Sequence, residues 1–379
     1  MEREKLLKQF DFGSVLIQGT EKMMELDRFC RENMDPLSKE LSRSFERLIE
    51  RIEEEQRKYP ERNIFCISIC VLRSRYVKRD GRVKIYAYDE KFYLDSNAIW
   101  TEWDAEVLFK YLWELEDNLH QCLRDFKGEV TGADLKNIML TEYIPYIIRY
   151  ITEIARFAIR KKYIHKLSKL KVMDDFCITA GEYKGSFDEV YITERLSDNN
   201  QELQKLLENY RESNIQFYSK IYENMKLRNF QLIGINFTKS NFYRMDMSDS
   251  NFDGGFFLKA CFHHCDLKNT SWKEALLFDA DFSDSDLSEG DFTNSMASIT
   301  PPNLFNCNIF SLIGADFTNT NLTNADFTGA DFRGADFREA ILKNTVFAET
   351  RLSGAKFKKE ELHHLALTEE QLSGIRIYD

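Results

Sequence analysis

Large apolar residues recur at every fifth position through the carboxy-terminal third of the chain. In two uninterrupted runs, these positions hold Leu227, Leu232, Phe237, Phe242, Met247, Phe252, Phe257, Phe262, Leu267, Trp272, Leu277, Phe282, Leu287 and Phe292, and then Leu312, Phe317, Leu322, Phe327, Phe332, Phe337, Leu342, Phe347, Leu352 and Phe357. A period of five leaves no apolar stripe on an α-helix of about 3.6 residues per turn, and a flat strand needs simple alternation. The pattern therefore predicts neither an ordinary helix nor an ordinary strand.

The positions between the large residues follow a second rule. A small residue usually stands two places before each large one, as at Ala275 and Ala280, and Asp or Asn often stands between them, as at Asp281. The pattern is clearest in Ala325–Glu339, which reads ADFTGADFRGADFRE. We interpret the large and small residues as inward-facing layers of a narrow core, and the Asp, Asn and Gly residues as parts of tight turns.

This A-(D/N)-(L/F)-x-x pattern resembles the pentapeptide-repeat family over about a third of the chain. The resemblance implies a right-handed quadrilateral β-helix, in which each pentapeptide forms one side and four pentapeptides form a coil. Counted from about residue 223 to 362, it implies about seven coils. The open ends of such a rod expose unpaired backbone groups and therefore need caps.

Both flanks of the repeats are predicted to supply these caps. From Asn200 to Met225, apolar residues recur at helical spacing after the start signal Asp198-Asn199. Beyond the repeats, Thr368-Glu-Glu-Gln371 has the form of a capping box that opens a short helix.

The amino-terminal half has a different pattern, which we interpret as an α+β domain, mostly helical and of unknown type. Helices are predicted at Thr20–Tyr59 with a break near Pro36, at Trp103–Phe126, and at Ala133–Leu170 with a break near Pro145. One β-hairpin is predicted from Asn63–Tyr76 and Arg82–Leu94, joined across Asp80-Gly81, and a second from Phe176–Glu194. The predicted protein is thus multidomain, with residues 1–195 as the α+β domain, 196–226 as the capping helix, 227–357 as the repeat β-helix and 358–379 as the carboxy-terminal cap.

Composition indicates where such a chain resides. No stretch approaches the roughly 18 uncharged apolar residues of a membrane span, and the chain starts Met1-Glu-Arg-Glu-Lys5 where a signal peptide would turn apolar. The 8 cysteines have no disulfide-framework spacing. We therefore expect a cytoplasmic protein without disulfide bonds or a membrane partner.

Negative charge is concentrated in the repeats. The formal net charge is -11, of which residues 227–357 contribute 11 − 17 = −6. A net negative charge disfavours direct binding to nucleic acid, because the phosphate backbone is bound by Lys and Arg. Between Glu274 and Phe332 there are ten acidic residues and no Lys or Arg.

If residues twenty apart stack, as the resemblance implies, these acids form faces. The candidate acidic binding face comprises Asp246, Asp266, Asp286 and Asp326 in one column, and Asp291 and Asp331 on another side. In the quinolone-resistance-type members of the family, which bind DNA gyrase, the rod resembles DNA because its acidic residues imitate the regularly spaced charges of nucleic acid. The alternative is that Asp is the ordinary outward residue of the repeat and is simply solvated, which is the interpretation we favour.

Two further clusters invite a functional interpretation. Cys261-Phe-His-His-Cys265 has metal-ligand residue types, but the register turns Cys265 inward and Cys261, His263 and His264 outward, so we expect no metal site. A basic run at the end of a predicted helix is a candidate phosphate or anion contact, and a solvated helix face is its simpler interpretation. The residues of this run are Arg160, Lys161, Lys162, Lys166 and Lys169.

The stretch 296–311 interrupts the repeats. It includes Pro301-Pro302 and is either a loop thrown out of the solenoid or one poorly conforming coil, and we favour the coil because Phe292 and Leu312 are four whole pentapeptides apart.

Sequence motifs for catalysis are missing, since there is no phosphate-binding Gly-rich loop, nucleophile elbow or His-Glu-x-x-His. We therefore expect a non-catalytic scaffold without a cofactor, whose acidic face binds a protein partner, with a homodimer left open. A narrower form of this hypothesis is a DNA mimic that binds or protects a topoisomerase, DNA gyrase. The alternative is an amino-terminal enzyme or ligand-sensing domain that the repeat rod targets, which a deep pocket with convergent titratable groups in residues 1–195 would favour.

Overall fold

The structure is a computed structural model that describes residues 2–126, 128–162, 167, 169–212, 214–298 and 311–379. It divides into two compact units, one through Met1–Ile192 and the other made of the described residues from Thr193 onward. In the part of the chain that is described, no helix is both long and apolar enough to cross a bilayer.

The first unit combines helices with one sheet. Its helices are α1 (Glu2–Phe10), α2 (Leu16–Glu32), α3 (Met34–Lys58), α4 (Arg73–Val77), α5 (Glu106–Cys122), α6 (Gly132–Ile138) and α7 (Ile144–Lys162), with π-helical turns at Asp11–Val15 and Met139–Tyr143 and 3-10 turns at Phe92–Leu94 and Leu123–Phe126. Its strands are β1 (Ile64–Val71), β2 (Arg82–Tyr88), β3 (Ile99–Asp104), β4 (Val172–Glu182) and β5 (Phe187–Ile192).

The sheet has the order β3-β2-β1-β4-β5. β1 is parallel to β4, and the other neighbours are antiparallel. The helices α3 and α7 contact the sheet, and Ile67, Ile85 and Ile178 are fully buried. The mostly helical unit with a sheet agrees with the α+β prediction.

The antiparallel pairings of the two predicted hairpins are confirmed as β1–β2 and β4–β5. The predicted extent of the first is wrong, because α4 replaces the end of its first strand and a 3-10 turn at Phe92–Leu94 replaces the end of its second. The predicted breaks near the two prolines are confirmed, because α2 ends at Glu32 and the Met139–Tyr143 turn precedes α7, while Pro36 and Pro145 themselves lie in the first turns of α3 and α7. An early helical position tolerates proline, since its missing N–H has no helical acceptor there. The strand β3 was not predicted. It includes Trp103, which is the first residue of the predicted helix Trp103–Phe126.

The second unit begins with a helix at Asn200–Glu208, and the Asn199 side chain accepts hydrogen bonds from the backbone N–H groups of Gln201 and Glu202. The start signal is therefore confirmed, but the predicted extent to Met225 is wrong, because a strand already lies at Ile221–Glu223. The helix buries Leu203 and Leu207 in the same apolar cluster as the first repeat residues.

Parallel bridges between residues twenty apart build the repeat region. The strands Ile221–Glu223, Asn241–Tyr243 and Cys261–His263 pair in this way. One column of stacked rings fills part of the core, with centroids 4.6–5.2 Å apart, and consists of Phe242, Phe262, Phe282, Phe317, Phe337 and Phe357.

The interruption shifts the columns. Asp281 bridges Asp316, which is thirty-five residues further along instead of twenty, so fifteen extra residues (35 − 20 = 15) separate the two rungs. Fifteen is a multiple of five, which is why the five-residue register survives. The interpretation of 296–311 as a further coil of the stack is wrong, because the rungs at Asp281 and Asp316 are hydrogen-bonded neighbours; residues 299–310 themselves lie outside the described part.

The carboxy-terminal segment continues the same stacking. Arg376–Tyr378 pairs in parallel with Lys356–Lys358, again at an offset of twenty. Between these strands lie a 3-10 helix at Lys359–His364 and an α-helix at Glu369–Gly374. The predicted capping box is confirmed, since Thr368 and Gln371 exchange both of its hydrogen bonds.

Candidate binding surface of the repeat region

The outward Asp residues have a structural role in the repeat turns. In each case one carboxylate oxygen accepts the backbone N–H of the residue two positions later. The nitrogen-to-oxygen distance is 3.0 Å for Asp286, 3.0 Å for Asp291 and 2.8 Å for Asp326. The adjacent Ser or Thr hydroxyl donates to the same oxygen, as Ser288 does to Asp286 at 2.7 Å. This is the local side-chain-to-backbone bonding that Asp and Asn provide in turns.

Several predicted acidic-face residues also have basic partners. Lys268 Nζ lies 3.4 Å from Asp286 and 3.8 Å from Asp266, and Lys273 Nζ lies 2.9 Å from Asp291. Arg228 is 3.4 Å from Asp246, and Arg333 is 2.7 Å from Asp331. These cations come from positions outside the base-free stretch, so a charge count along the sequence overstates the local negative charge.

The electrostatics of Asp286 follow from these contacts. Although burial by itself raises the pKa of this carboxyl, hydrogen bonds from Ser288 and Asn321 and the charge of Lys268 hold the pKa below its ordinary value. Asp286 is therefore ionised at neutral pH.

The predicted columns of acids are partly wrong. Asp246, Asp266 and Asp286 do stack, but the next rung in that column carries Asn321. Asp326 instead stacks on Asp291 in a second column, and Asp331 stacks on Met296 in a third. The fifteen-residue insertion causes this displacement. The six acids therefore lie on three columns, and their role in binding stays a prediction.

An apolar surface that was not predicted from the sequence lies in that third column. The outward positions of the column are Asn236, Phe256, Leu276, Met296, Asp331 and Arg351. We call its three central residues, Phe256, Leu276 and Met296, the apolar column. Phe256 and Met296 are 43% and 44% exposed, and Leu276 is half-buried. The signal available in the sequence was the replacement of the usual Asp or Asn by large apolar residues in three positions twenty apart.

The corners of the repeat explain why so many Asn and Gly residues occur. One residue per pentapeptide has a positive φ, for example Asn294 at 58° and Gly329 at 70°. This left-handed conformation is unfavourable for most side chains and tolerated by Asn and Gly. Glu274 and Glu289 also adopt it, at 57° and 62°, and both are exposed.

The predicted anion cluster is only partly described. Arg160 is half-buried in α7, and Lys169 is exposed. Lys166 and the side chains of Lys161 and Lys162 lie outside the described residues. The anion-contact hypothesis therefore stays a prediction.

A pocket in the first unit has a volume of about 450 Å³ and is lined by both π-helical turns. The two turns are joined where Tyr143 Oη donates to the carbonyl oxygen of Val15 at 3.1 Å. Asp11, Glu142 and Arg149 are its charged lining groups. Burial, with a smaller contribution from Asp11, raises the pKa of Glu142. π-Helical turns are rare and often occur at functional sites.

Comparisons with known proteins agree with the repeat architecture. A family model for pentapeptide repeats matches residues 223–254, 259–295, 311–339 and 330–359, in 8 copies. No curated protein matches the chain.

Three solved structures are similar to parts of the chain. A trypsin-treated variant of QnrB1, a plasmid-mediated fluoroquinolone resistance protein, is 14% identical over 43% of this chain and 85% of its own, with a TM-score of 0.29. HetL, a pentapeptide repeat protein involved in heterocyst differentiation regulation from Nostoc sp. strain PCC 7120, is 18% identical over 40% of this chain and 78% of its own, with a TM-score of 0.17. Rfr23, a pentapeptide repeat protein from Cyanothece 51142, is 21% identical over 35% of this chain and 88% of its own, with a TM-score of 0.17.

Similarities at this level support no transfer of function. The repeat assignment rests on the family model and on the bridges between residues twenty apart. The carboxy-terminal part of this chain is therefore a pentapeptide-repeat region, whereas its amino-terminal unit has no recognised family.

Proposed function

We propose that this protein is a non-catalytic scaffold whose repeat region binds a protein partner through the apolar column. The supporting observation is the exposure of Phe256 and Met296 in a column that is polar on either side, at Asn236 and Asp331. Contiguous exposed apolar side chains on an otherwise polar surface are characteristic of protein-interaction sites. A rigid rod keeps them in place at little entropic cost on binding.

The shape we propose for this region is a right-handed quadrilateral β-helix of about six coils, one fewer than the sequence implied, because the inserted fifteen residues do not add a rung. The twenty-residue bridges support it. The Asn200–Glu208 helix caps one end through Leu203 and Leu207, and residues 358–379 cap the other, where Arg376–Tyr378 adds a last rung. Both caps cover core residues and edges that would otherwise be open.

The chemistry of the partner follows from the surface. Leu276 lies two residues after the exposed corner residue Glu274. Residues 227–357 together carry a net charge of 11 − 17 = −6. We propose a partner surface that presents apolar side chains flanked by Lys or Arg. Binding should weaken with added salt, because exposed charge pairs are screened over about 10 Å at 0.1 M ionic strength.

The DNA-mimic alternative, with a topoisomerase as partner, requires a continuous ladder of available carboxylates. The pairing of Asp286 with Lys268 and of Asp291 with Lys273, together with Asn321 in the main column, counts against it. Charge reversal at Asp286 and Asp326 tests it directly, because a charge mimic should lose its partner and an apolar docking site should not.

A ligand-sensing role for the amino-terminal unit is the second candidate, favoured by the pocket between the π-helical turns. A small molecule bound there should raise the melting temperature of the wild-type chain and not that of Arg149→Ala. Ligands whose effect is equal in both chains bind elsewhere and count against this role.

Site-specific photo-crosslinking tests the scaffold proposal. A photoreactive residue is placed at Leu276 in the full-length chain, and a matched control carries it at Ile341, which is 57% exposed and lies on another column. We expect one crosslinked protein from position 276 that is absent from position 341 and fades as salt rises. Equal crosslinking from both positions, or none from 276, would contradict the proposal.

A further inference from the structure

Three potential metal-binding side chains converge between two adjacent rungs. A sulfur of Cys261, an imidazole nitrogen of His263 and a carboxylate oxygen of Asp281 all lie within 4.8 Å of one another. Cys261 and Asp281 are bridge partners, and His263 is two residues from Cys261 in the same strand. All three side chains therefore leave the same face, so the backbone register itself produces the convergence.

The rest of the Cys261–Cys265 segment does not take part. Cys265 Sγ is buried in the core, 3.6 Å from the carbonyl oxygen of Phe242. His264 is at a corner with a φ of 54°, and its ring packs against Tyr243. The inward position expected for Cys265 is thus confirmed. The third ligand comes instead from Asp281, twenty residues after Cys261 and outside the Cys261–Cys265 segment.

Cys261 and His263 also replace the residue types that form the turn hydrogen bonds elsewhere in their column. In later rungs, Asp281 accepts the N–H of Ser283 at 3.0 Å and Asp316 accepts that of Thr318 at 3.0 Å. A cysteine sulfur is a poor acceptor for this role, and an imidazole replaces the Ser or Thr that follows. The repeat fold therefore does not explain why these two residue types occur together here.

Burial makes the imidazole nitrogen of His263 costly unless a ligand satisfies it. Cys261 and Asp281 are each 1% exposed. His263 Nε2 is buried with no hydrogen-bond partner among the described residues, and it lies 3.9 Å from Asp281 Oδ2. The other carboxylate oxygen of Asp281, Oδ1, accepts the backbone N–H of Ser283 at 3.0 Å. A buried polar nitrogen without a partner is destabilising.

We propose that Cys261, His263 and Asp281 bind one Zn²⁺ ion, with a fourth position left to water. Thiolate, imidazole and carboxylate are the donors zinc takes in proteins, whereas Ca²⁺ and Mg²⁺ take oxygen alone. Tetrahedral zinc bonds of about 2.0–2.3 Å place donor atoms roughly 3.3–3.8 Å apart, so the widest separation closes by about 1 Å on binding. Three protein ligands with one open position also characterise zinc sites that polarise water.

The competing explanation is an ion pair between a protonated His263 and Asp281 without any metal. Cobalt substitution separates the two, because a thiolate bound to Co²⁺ gives a near-ultraviolet charge-transfer band. The full-length chain is treated with a chelator and a non-thiol reductant, and then titrated with Co²⁺ and afterwards with Zn²⁺. We expect one equivalent of Co²⁺ to bind with this band, and Zn²⁺ to remove it.

The variants assign the ligands. Cys261→Ser should abolish the band, and His263→Asn and Asp281→Asn should weaken Co²⁺ binding by more than about tenfold, since even second-shell changes cost that much. Asp281→Asn keeps an oxygen that accepts the Ser283 N–H, so its fold is preserved. His264→Asn, which suits the left-handed corner, is the matched control and should bind like wild type. Absence of stoichiometric Co²⁺ binding, or an unchanged band in Cys261→Ser, would overturn the proposal.

Discussion

The two units of this protein depend on contacts at very different sequence separations. In the repeats, whether a side chain faces the core is set by its place within five residues, and its vertical neighbours are usually twenty residues away. In the first unit, β1 pairs with β4 although Ile64 and Val172 are far apart in sequence, with the helices α4, α5, α6 and α7 between the two strands. The fold of the repeat region can therefore be predicted from the local sequence pattern, whereas the strand pairing of the first unit cannot.

The two units also differ in how a candidate functional site can be recognised. In the repeat, nearly every outward residue has a defined turn or ladder role, so departures from the pattern stand out, as at Phe256, Met296 and Cys261. In the first unit the comparable departures are the two π-helical turns that line the pocket. Only the structure reveals those.

The largest effect should come from the stacked core of the repeats. Trp272 is fully buried, its ring centroid lies 4.5 Å from that of Phe252 in a tilted contact, and its Nε1 donates to Thr270. Trp272→Ala should lower the free energy of unfolding of the second unit by about 3–5 kcal/mol, through lost burial and a cavity between rungs. Urea denaturation followed by circular dichroism measures this. The exposed Ile341→Ala is the control, with an expected change below about 0.5 kcal/mol, and similar losses for both would mean that the rings are not a packed core.

Two glycines in the first unit differ in how closely other atoms approach them. A Cβ at Gly19 would lie 1.8 Å from Tyr143 Oη, whereas Gly13 has nothing within 4 Å. Gly19→Ala should destabilise the first unit by about 1–3 kcal/mol through overpacking, and Gly13→Ala should be neutral or slightly stabilising because alanine favours a helix. Thermal unfolding of both variants measures this. Equal effects would contradict the close approach of α2 to the Met139–Tyr143 turn.

A corner substitution should stabilise the repeats. Glu289 has a φ of 62° and occupies a corner position between Asn269 and Asn324 in the stack. In the same column of corners, the Asn269 side chain donates to Asp249 at 3.0 Å, and the Asn344 side chain donates to Asn324 at 3.0 Å. Glu289→Asn suits the left-handed conformation and extends this ladder, so we expect a gain of about 0.5 kcal/mol. Glu289→Gln removes the same charge without the conformational preference and should gain less in the same denaturation assay. An equal gain would assign the effect to charge alone.

The smallest effect should be a pH dependence at the carboxy-terminal end. Burial, reinforced by Glu339 and opposed by Lys358, raises the pKa of Glu361 from 4.5 to about 7. The folded chain therefore binds more protons than the unfolded chain between these values, so stability falls as pH rises through this window and is level above it. Glu361→Gln should remove this decline, which melting temperatures from pH 5 to pH 8 measure relative to wild type. Parallel profiles would show that Glu361 is solvated.

Sequence alone predicted the repeat core because each inward position repeats the same chemistry. It misplaced Asp326 and Asp331 because an insertion of fifteen residues preserves a period of five while changing which residues stack. It did not indicate the proposed zinc ligand Asp281, because stacking brings together residues twenty apart that do not belong to one short motif. In the first unit, β3 was missed because its short segment lies directly before a helix, and pairing with β2 decides its conformation.

The central claim is that the apolar column, and not the acidic ladder, binds a protein partner. It is tested most directly by measuring the affinity of the crosslinked partner for three forms of the full-length chain: wild type, Phe256→Ser with Met296→Ser, and Asp286→Lys with Asp326→Lys. We predict that the apolar pair of substitutions weakens binding by about a hundredfold and the charge reversals by about tenfold or less. Loss of binding in the charge-reversed chain, with binding retained in the Ser variant, would contradict the account and restore the charge-mimic interpretation.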